Sequence, residues 1–438
     1  PSTRRRVVVY TVRFFYCFHL IYVMNQFKHT LFFSFQLRRT YGNTCSLFIG
    51  PRPAVVTNGI KAIREAIVIR SAAFAGRPQN LLFNYLTERK GVIFVDYGPH
   101  WKEHRRFTLM TFKNFGLGQT SMEDRINEEI EHAIKTLEQS IGKTLNPQVV
   151  FYNIASNVIC QVLFGKHYGY DDKFIRVIIH CYGETLKITT GLWGMLYNSF
   201  PLIRKLPLPF KNAFKNYQTM KDLVNPLLKE HKESRTPGEP RDLIDCNLDE
   251  MEKVYSSFSE DQLLMYVLDI HLQVINMYFN TIWLNVTYYY YYYYFILFIF
   301  FTILEQCQQI NRVLGGKDQI SYQDMPYMQA VIHEVQRVAN IVPLSVFHCT
   351  TKDTDLMDNS ATIEGNFLKR EAFVPFSTGP RVCPGEALAR MELFLVIVTL
   401  LKKFTFAWPE DAGEPDFTPI YGFTMTPKLY RMKVQLTK

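Results

Sequence analysis

The loop FSTGPRVCPGEALAR, Phe376 to Arg390, constrains this chain more than any other stretch. Gly379 and Gly385 bracket a single cysteine, Cys383, and permit torsions that a side chain would resist. Pro380 and Pro384 stiffen the turn. The next residues place Leu388, Met391, Phe394, Leu395, Val398 and Leu401 at helical spacing. Cys383 is therefore predicted to sit in a rigid turn ahead of a helix N-terminus, where amide N–H groups and the helix dipole favour a thiolate. Arg381, two residues earlier, is expected to add a nearby cation.

No cysteine or histidine stands close by in sequence. That argues against structural zinc, which takes four ligands from paired motifs. A single thiolate suffices as an axial ligand to haem iron. A buried, inert cysteine is the plain alternative. The fixed positions Phe376, Gly379, Arg381, Cys383 and Gly385 fill F-x-x-G-x-R-x-C-x-G. That pattern resembles the haem-binding signature of cytochrome P-450 monooxygenases, and five matches at fixed spacing outweigh the alternative.

Two upstream motifs extend the resemblance. In WKEHRRFTLMTF, Trp101 and Arg105 lie at i, i+4 on one helix face. An indole N–H and a planar guanidinium both suit a carboxylate, and in the resembled family this pair holds a haem propionate. On residues alone it reads equally as a surface helix with a cation–π pair. In MPYMQAVIHEVQRV, Glu334 and Arg337 share a face and match the structural E-x-x-R of the family. His348 stands where many vertebrate microsomal family-two members place a propionate-binding histidine, and Arg77 of FAGRP is a further propionate candidate.

The resemblance covers residues 36–272 and 303–438. It implies a mainly α fold with a small β-rich side domain, with the central long helix and the late strands disrupted. RRTYGNTCSLFIGPRPAVVTNGIKAIREAI reads as two short strands and a helix. Ile126, Ile130, Ala133 and Leu137 form one stripe of an amphipathic helix over 122–138. FYNIASNVICQVLFG reads as a core helix, Phe200–Phe210 as a proline-broken loop, and a long helix runs from there to about Glu233. In the family, the loop containing Gly91 to Phe94 covers the substrate pocket, and the Phe200–Phe210 segment dips into the membrane.

Two stretches depart from the pattern. Residues 1–35 put basic residues before an apolar run, the shape of a membrane anchor. Arg13 interrupts it, at a cost of about 2.5–3.5 kcal/mol on insertion scales, so an anchor and a non-native leader both stay open. Ser259–Leu272 opens like the family's central helix, but the acid–threonine motif that delivers protons during oxygen activation is missing. In its place, residues 273–304 form an aberrant insert containing seven tyrosines, Tyr288 to Tyr294, and Leu272 to Leu304 carries no charge. This is long and apolar enough for a transmembrane helix, and a divergent central helix is a second reading. The abrupt return of family-like text at Glu305 favours a third, translated non-coding sequence. Thr281 follows Asn280 with no acid before it, so the catalytic residues stay unassigned. Only 35 residues separate His348 from Cys383, too few for the family's strands and meander. No third partner for Glu334 and Arg337 can be named.

The resemblance implies haem b with Cys383 as axial ligand to the iron, held by Arg77, Trp101, Arg105, His348 and Arg381. It implies NADPH acting through a flavoprotein reductase that docks on Lys102, Arg106 and Lys402, cytochrome b5 as a second electron partner, and lipophilic substrates such as xenobiotics, fatty acids or steroids. The expected location is the cytoplasmic face of the endoplasmic reticulum membrane. Two alternatives are a non-catalytic haem-binding relative and a membrane protein built around 272–304. Eight scattered cysteines without a C-x-x-C pair suit a reducing compartment. A net charge of +9 with no dense basic run does not argue for nucleic acid.

Overall fold

The computed structural model describes residues 37–49, 52–115, 120–253, 257–274, 345–352, 374–413 and 430–437, with 329, 332–333, 336–337, 342 and 428. They divide into two units, one ending at Ile63 and one beginning at Arg64.

In the first unit, β1 (Thr44–Ile49) and β2 (Arg52–Thr57) form the expected antiparallel hairpin, in register from Thr44↔Thr57 to Ile49↔Arg52. A short helix begins at Ile60.

The second unit is helical. Its main helices are α1 (Pro99–Asn114), α2 (Thr120–Glu138), α3 (Pro147–Phe164), α4 (Lys173–Thr190), α5 (Leu192–Ser199), α6 (Phe210–Ser234), α7 (Leu243–Met251), α8 (260–274) and α9 (Glu386–Lys403). The boundaries follow from end chemistry. Asn146 caps α3 by accepting from the Gln148 N–H at 3.0 Å, Pro147 opens its first turn, and Gly165 closes it at φ +60°. Asp172 and Asp242 cap α4 and α7 in the same way, at 2.7 and 3.0 Å.

α3 is apolar all round because it is the buried centre. Ile154, Val158, Ile159 and Leu163 are fully enclosed. It packs on α2 and α7, while α6 lies along α4 and α9 against α2. Tyr266 and Val267 of α8 join Phe394 and Val398 of α9 in the same core. Among the described residues α3 alone is long and apolar enough to cross a membrane, and 83% of it is buried in the fold. β3 (Thr144–Leu145), β4 (Phe404–Ala407) and β5 (Met432–Leu436) form a three-stranded antiparallel sheet with β5 central.

Sequence reasoning did not foresee α4, α5 or this sheet. The Phe200–Phe210 loop contains a 3-10 turn at Pro201–Lys205. The described part of α8 stops at 274. The 1–35 segment, the rest of the 273–304 insert, Thr281 and Glu334 lie outside the described residues. Arg337 is helical and exposed.

Candidate functional site

The Cys383 loop is fixed by its backbone. The Cys383 N–H donates to the Phe376 carbonyl at 2.9 Å and the Val382 N–H to that of Gly379 at 3.1 Å. Gly379 adopts φ +72°, and a Cβ there would lie 2.1 Å from the Ile67 carbonyl oxygen, so only glycine fits. Phe376 is buried, and the Arg390 guanidinium lies 5.2 Å from its ring centroid. Arg390 also donates to Glu386 at 2.8 Å and to His333 at 2.9 Å, tying the first turn of α9 to residue 333.

The electrostatics at sulfur differ from the expectation. Burial pushes the Cys383 thiol up to about 11, and the Gly385 N–H and the Arg105 charge offset it only in part. With no metal on the sulfur, burial therefore favours the protonated thiol over the expected thiolate. The cation acting on the sulfur is Arg105, not Arg381. Arg105, on α1, donates to the Val382 carbonyl next to the cysteine.

Arg381 turns away from the sulfur. It donates from Nε to Ala75 O and from Nη2 to Val95 O, both at 2.9 Å, and its guanidinium lies 3.9 Å from the Trp101 ring centroid. Trp101 is 3% exposed, and its indole N–H donates to Val92 O at 3.0 Å. Trp101 thus contributes a ring face, its donor being already used. Arg77 donates from Nε to Ile93 O at 3.0 Å and from Nη1 to Phe347 O at 2.8 Å, and its own N–H donates to Asp96 at 2.9 Å. His348 reaches the same patch through an antiparallel bridge between Gly76 and Cys349, and its Nδ1 donates to Phe74 O at 2.7 Å.

Arg77, Arg381 and His348 are therefore brought together, and they repel one another. Burial, with Arg77 and Arg105 nearby, lowers Arg381 to about 9. Burial lowers Arg77 to about 10. Burial, then Arg77 and Arg381, lower His348 to about 4. Among the described residues Arg381 Nη1 and His348 Nε2 are buried without a hydrogen-bond partner. A concentration of cations with unspent polar atoms suits an anion.

These residues fit a haem. Among the described residues a Cβ on Gly385 would find only the Cys383 sulfur, at 4.0 Å, so the glycine leaves space beside the loop next to the cysteine. Cys383 supplies one soft ligand, and Arg381 and His348 supply unspent groups for propionates. Loop residues 91–95, which the resemblance implied only as a cover over the substrate pocket, complete the setting. Their carbonyls accept from Trp101, Arg77 and Arg381, while Asp269 of α8 accepts from the Val92 and Ile93 N–H groups at 2.7 and 3.0 Å. The glycine at 91 (φ +90°) was the available signal, since a Cβ there would lie 2.3 Å from Asp269 Oδ2.

Adjoining this cluster, an open groove of about 570 Å³ is lined by Trp101, Gly379 and Val382 on the site's side and by Lys102, Arg105, Arg106 and Lys113 around Leu109 and Met110. Lys402 is not among its lining residues.

Comparison with known proteins supports the same reading. The family profile described as Cytochrome P450 matches residues 12–273, 302–366 and 358–434. The match is interrupted across most of the 273–304 insert. The chain is 35% identical over 413 residues to cytochrome P450 2J5 of Mus musculus, covering 85% of this chain and 81% of the relative. It is 34% identical over 444 residues to cytochrome P450 2F3 of Capra hircus (91% and 88%) and 34% over 434 residues to cytochrome P450 2J2 of Homo sapiens (90% and 84%).

Proposed function

This chain belongs to the cytochrome P450 family, and from that premise we propose that it is a haem-thiolate monooxygenase inserting one oxygen atom of O2 into lipophilic small molecules. The observation that carries this is the pair of unspent buried polar atoms, Arg381 Nη1 and His348 Nε2, beside the glycine-bracketed Cys383 loop. Bound haem supplies the oxygen chemistry. The chain's own work is to hold and orient it. Cys383 would provide the ligand, as a thiolate only where a bound metal offset the burial that otherwise keeps the thiol protonated. Arg105 offsets the charge left on the sulfur. Arg381 and His348 hold the propionates, and Arg77 stiffens them from behind through Ile93 and Phe347.

Electrons come from NADPH through a flavoprotein reductase, with cytochrome b5 as a second donor. The groove with Lys102, Arg106 and Lys113 around apolar Leu109 and Met110 suits an acidic partner surface. Leu202, 91% exposed, with Phe200, Leu206 and Leu192, offers an apolar face to a membrane, in keeping with the cytoplasmic face of the endoplasmic reticulum.

A second reading, a haem-binding relative without turnover, is favoured by one observation. Asp269 to Val274 of α8 reads DIHLQV, with no acid–threonine pair, and Asp269 already accepts from two backbone N–H groups. One experiment decides between them. The reduced, carbon-monoxide-treated chain is expected to show a thiolate-type Soret band that Cys383→Ala abolishes. A chain that takes up no haem overturns both readings. A band with NADPH consumption but no oxygenated product, in the presence of reductase, selects the second.

A further inference from the structure

The segment Glu88–Asp96 is strained at one end and pinned along its length. Glu88 (φ +52°) and Arg89 (φ +58°) are consecutive side-chain-bearing residues in the left-handed region, which such residues avoid. Strain of this kind persists only where the surroundings over-determine it, and it points to a role. Arg89 is held by its N–H to Asn84 O at 2.9 Å and its guanidinium to Asn80 at 3.0 Å. The result is that the Glu88 carboxylate lies between two lysines. Its Oε1 pairs with Lys221 of α6, and its Oε2 lies 3.6 Å from Lys90. Lys90 in turn lies 2.7 Å from Asp261 of α8. A four-member ionic chain, Lys221–Glu88–Lys90–Asp261, therefore joins two helices across the strap.

Beyond the chain the carbonyls of residues 91–95 and the N–H groups of Gly91, Val92 and Ile93 are all engaged, the Phe94 carbonyl by Asn84 at 3.3 Å. Gly91 exchanges two hydrogen bonds with Gln262, at 3.0 and 3.2 Å. Val92 and Ile93 donate to Asp269. On the other side, the Val92, Ile93 and Val95 carbonyls accept from Trp101, Arg77 and Arg381. The strap thus has an outer end read by α6 and an inner face that sets the cationic cluster.

We propose that the Lys221–Glu88–Lys90–Asp261 chain is an ionic latch, and that Glu88 is a positioning residue that couples α6 to the Arg77–Trp101–Arg381 cluster through the 91–95 backbone. The latch is open to solvent. The Asp261 and Glu88 side chains are 75% and 49% exposed, so salt weakens it. Displacing α6 breaks the Lys221 contact first. The strap then loses its outer anchor while Asp269 still holds the centre. The part of this proposal that concerns haem rests on the function proposed above; the coupling within the chain does not.

The test is hydrogen exchange on the full-length chain, followed in peptides spanning 91–95. Glu88→Gln is expected to speed exchange there about two- to fivefold, the range for breaking one or two partly exposed ion pairs. About 0.5 M salt is expected to do the same to the parent chain and to add little to the variant. Lys221→Met, which breaks the same contact from α6, is expected to add little on top of Glu88→Gln. If Glu88→Gln does not fold, Lys221→Met alone carries the comparison. A strap whose exchange ignores both salt and these substitutions overturns the latch, as does an equal rise in the α3 core. In parallel, transfer of haem to an apo-acceptor is expected to quicken with strap exchange. Faster exchange with unchanged haem transfer overturns the coupling to the cluster. Absence of the carbon-monoxide band instead defeats the proposed function, and the exchange arm still decides the latch.

Discussion

The Arg381 guanidinium lies 3.9 Å from the centroid of the Trp101 ring, whose indole N–H is committed to the Val92 carbonyl. One tryptophan therefore performs two separable tasks, supporting a cation with its face and anchoring the strap with its edge. Trp101→Phe keeps an aromatic face and deletes the N–H, leaving Val92 O to seek another donor. It is expected to cost about 1 kcal/mol of stability. Trp101→Ala removes face, edge and buried volume, and is expected to cost about 3–5 kcal/mol. Urea unfolding of the two variants checks the difference, and equal losses would show that the N–H carries most of the effect.

How far sequence reasoning reached follows from the kind of signal each residue carries. Cys383, Phe376, Gly379 and Gly385 are legible because a ligand and its turn are local, set by spacing within ten residues. Trp101 and Arg105 are legible as a helix-face pair. What they bond to is not, since Val92 and Val382 offer only carbonyls, and a carbonyl has no sequence signature. The thiolate expected from the helix dipole fails for the same reason. Desolvation depends on what packs around the sulfur, and it outweighs the Gly385 N–H and the Arg105 charge together. Helix α3 was recognisable as core by being apolar on every side. The sheet of β3, β4 and β5 was not, because it joins residues nearly 300 positions apart.

Gly379 tests how rigid the ligand loop must be. Alanine there meets two obstacles, a left-handed φ of +72° and a Cβ 2.1 Å from the Ile67 carbonyl oxygen. Backbone cannot swing aside as a side-chain tip would, so the loop or the Ile67 segment must move. Gly379→Ala is expected to lose about 2 kcal/mol or more, lowering the thermal midpoint and weakening the Cys383 N–H bond to Phe376. Gly385→Ala, where the Cβ finds only the sulfur at 4.0 Å, is expected to cost less in the haem-free chain and more in haem affinity. Comparing melts with haem titrations of both variants separates loop strain from cofactor exclusion.

His348 gives the haem-free chain a defined acid sensitivity. Its folded value, about 4, lies below the ordinary 6.5 because of burial and the charges of Arg77 and Arg381. The unfolded state therefore binds more protons between these values. Stability is retained above pH 6.5 and lost as pH falls from about 6.5 toward 4, by at most about 1.4 kcal/mol per pH unit for this group. His104, also lowered to about 4, adds to the same slope. His348→Asn keeps a donor for Phe74 O and removes the titration, so the slope is expected to become shallower without vanishing. Haem loading is expected to act likewise, since a propionate beside Nε2 raises the histidine. Urea midpoints across pH 4 to 7 for parent, variant and haem-loaded chain test this, and identical slopes in all three would remove His348 from the account.

The exposed Leu202 face tests membrane contact separately from catalysis. Leu202 stands on the Pro201–Lys205 turn between α5 and α6. The turn is held in place by Arg204, which donates to the Tyr197 carbonyl at 3.0 Å and lies over the rings of Tyr85 and Tyr197. An apolar side chain 91% exposed on a braced turn gains nothing from the fold, so its transfer free energy is available to a lipid surface. Leu202→Glu removes that gain and adds a charge that anionic lipid repels. It is expected to reduce binding to anionic vesicles about tenfold or more, because burying one leucine is worth about 1.5–3 kcal/mol. The Soret band and thermal midpoint are expected to stay unchanged, since no buried contact is touched. Vesicle sedimentation reads the first effect and spectroscopy the second. Unchanged sedimentation would place any membrane contact elsewhere on the chain.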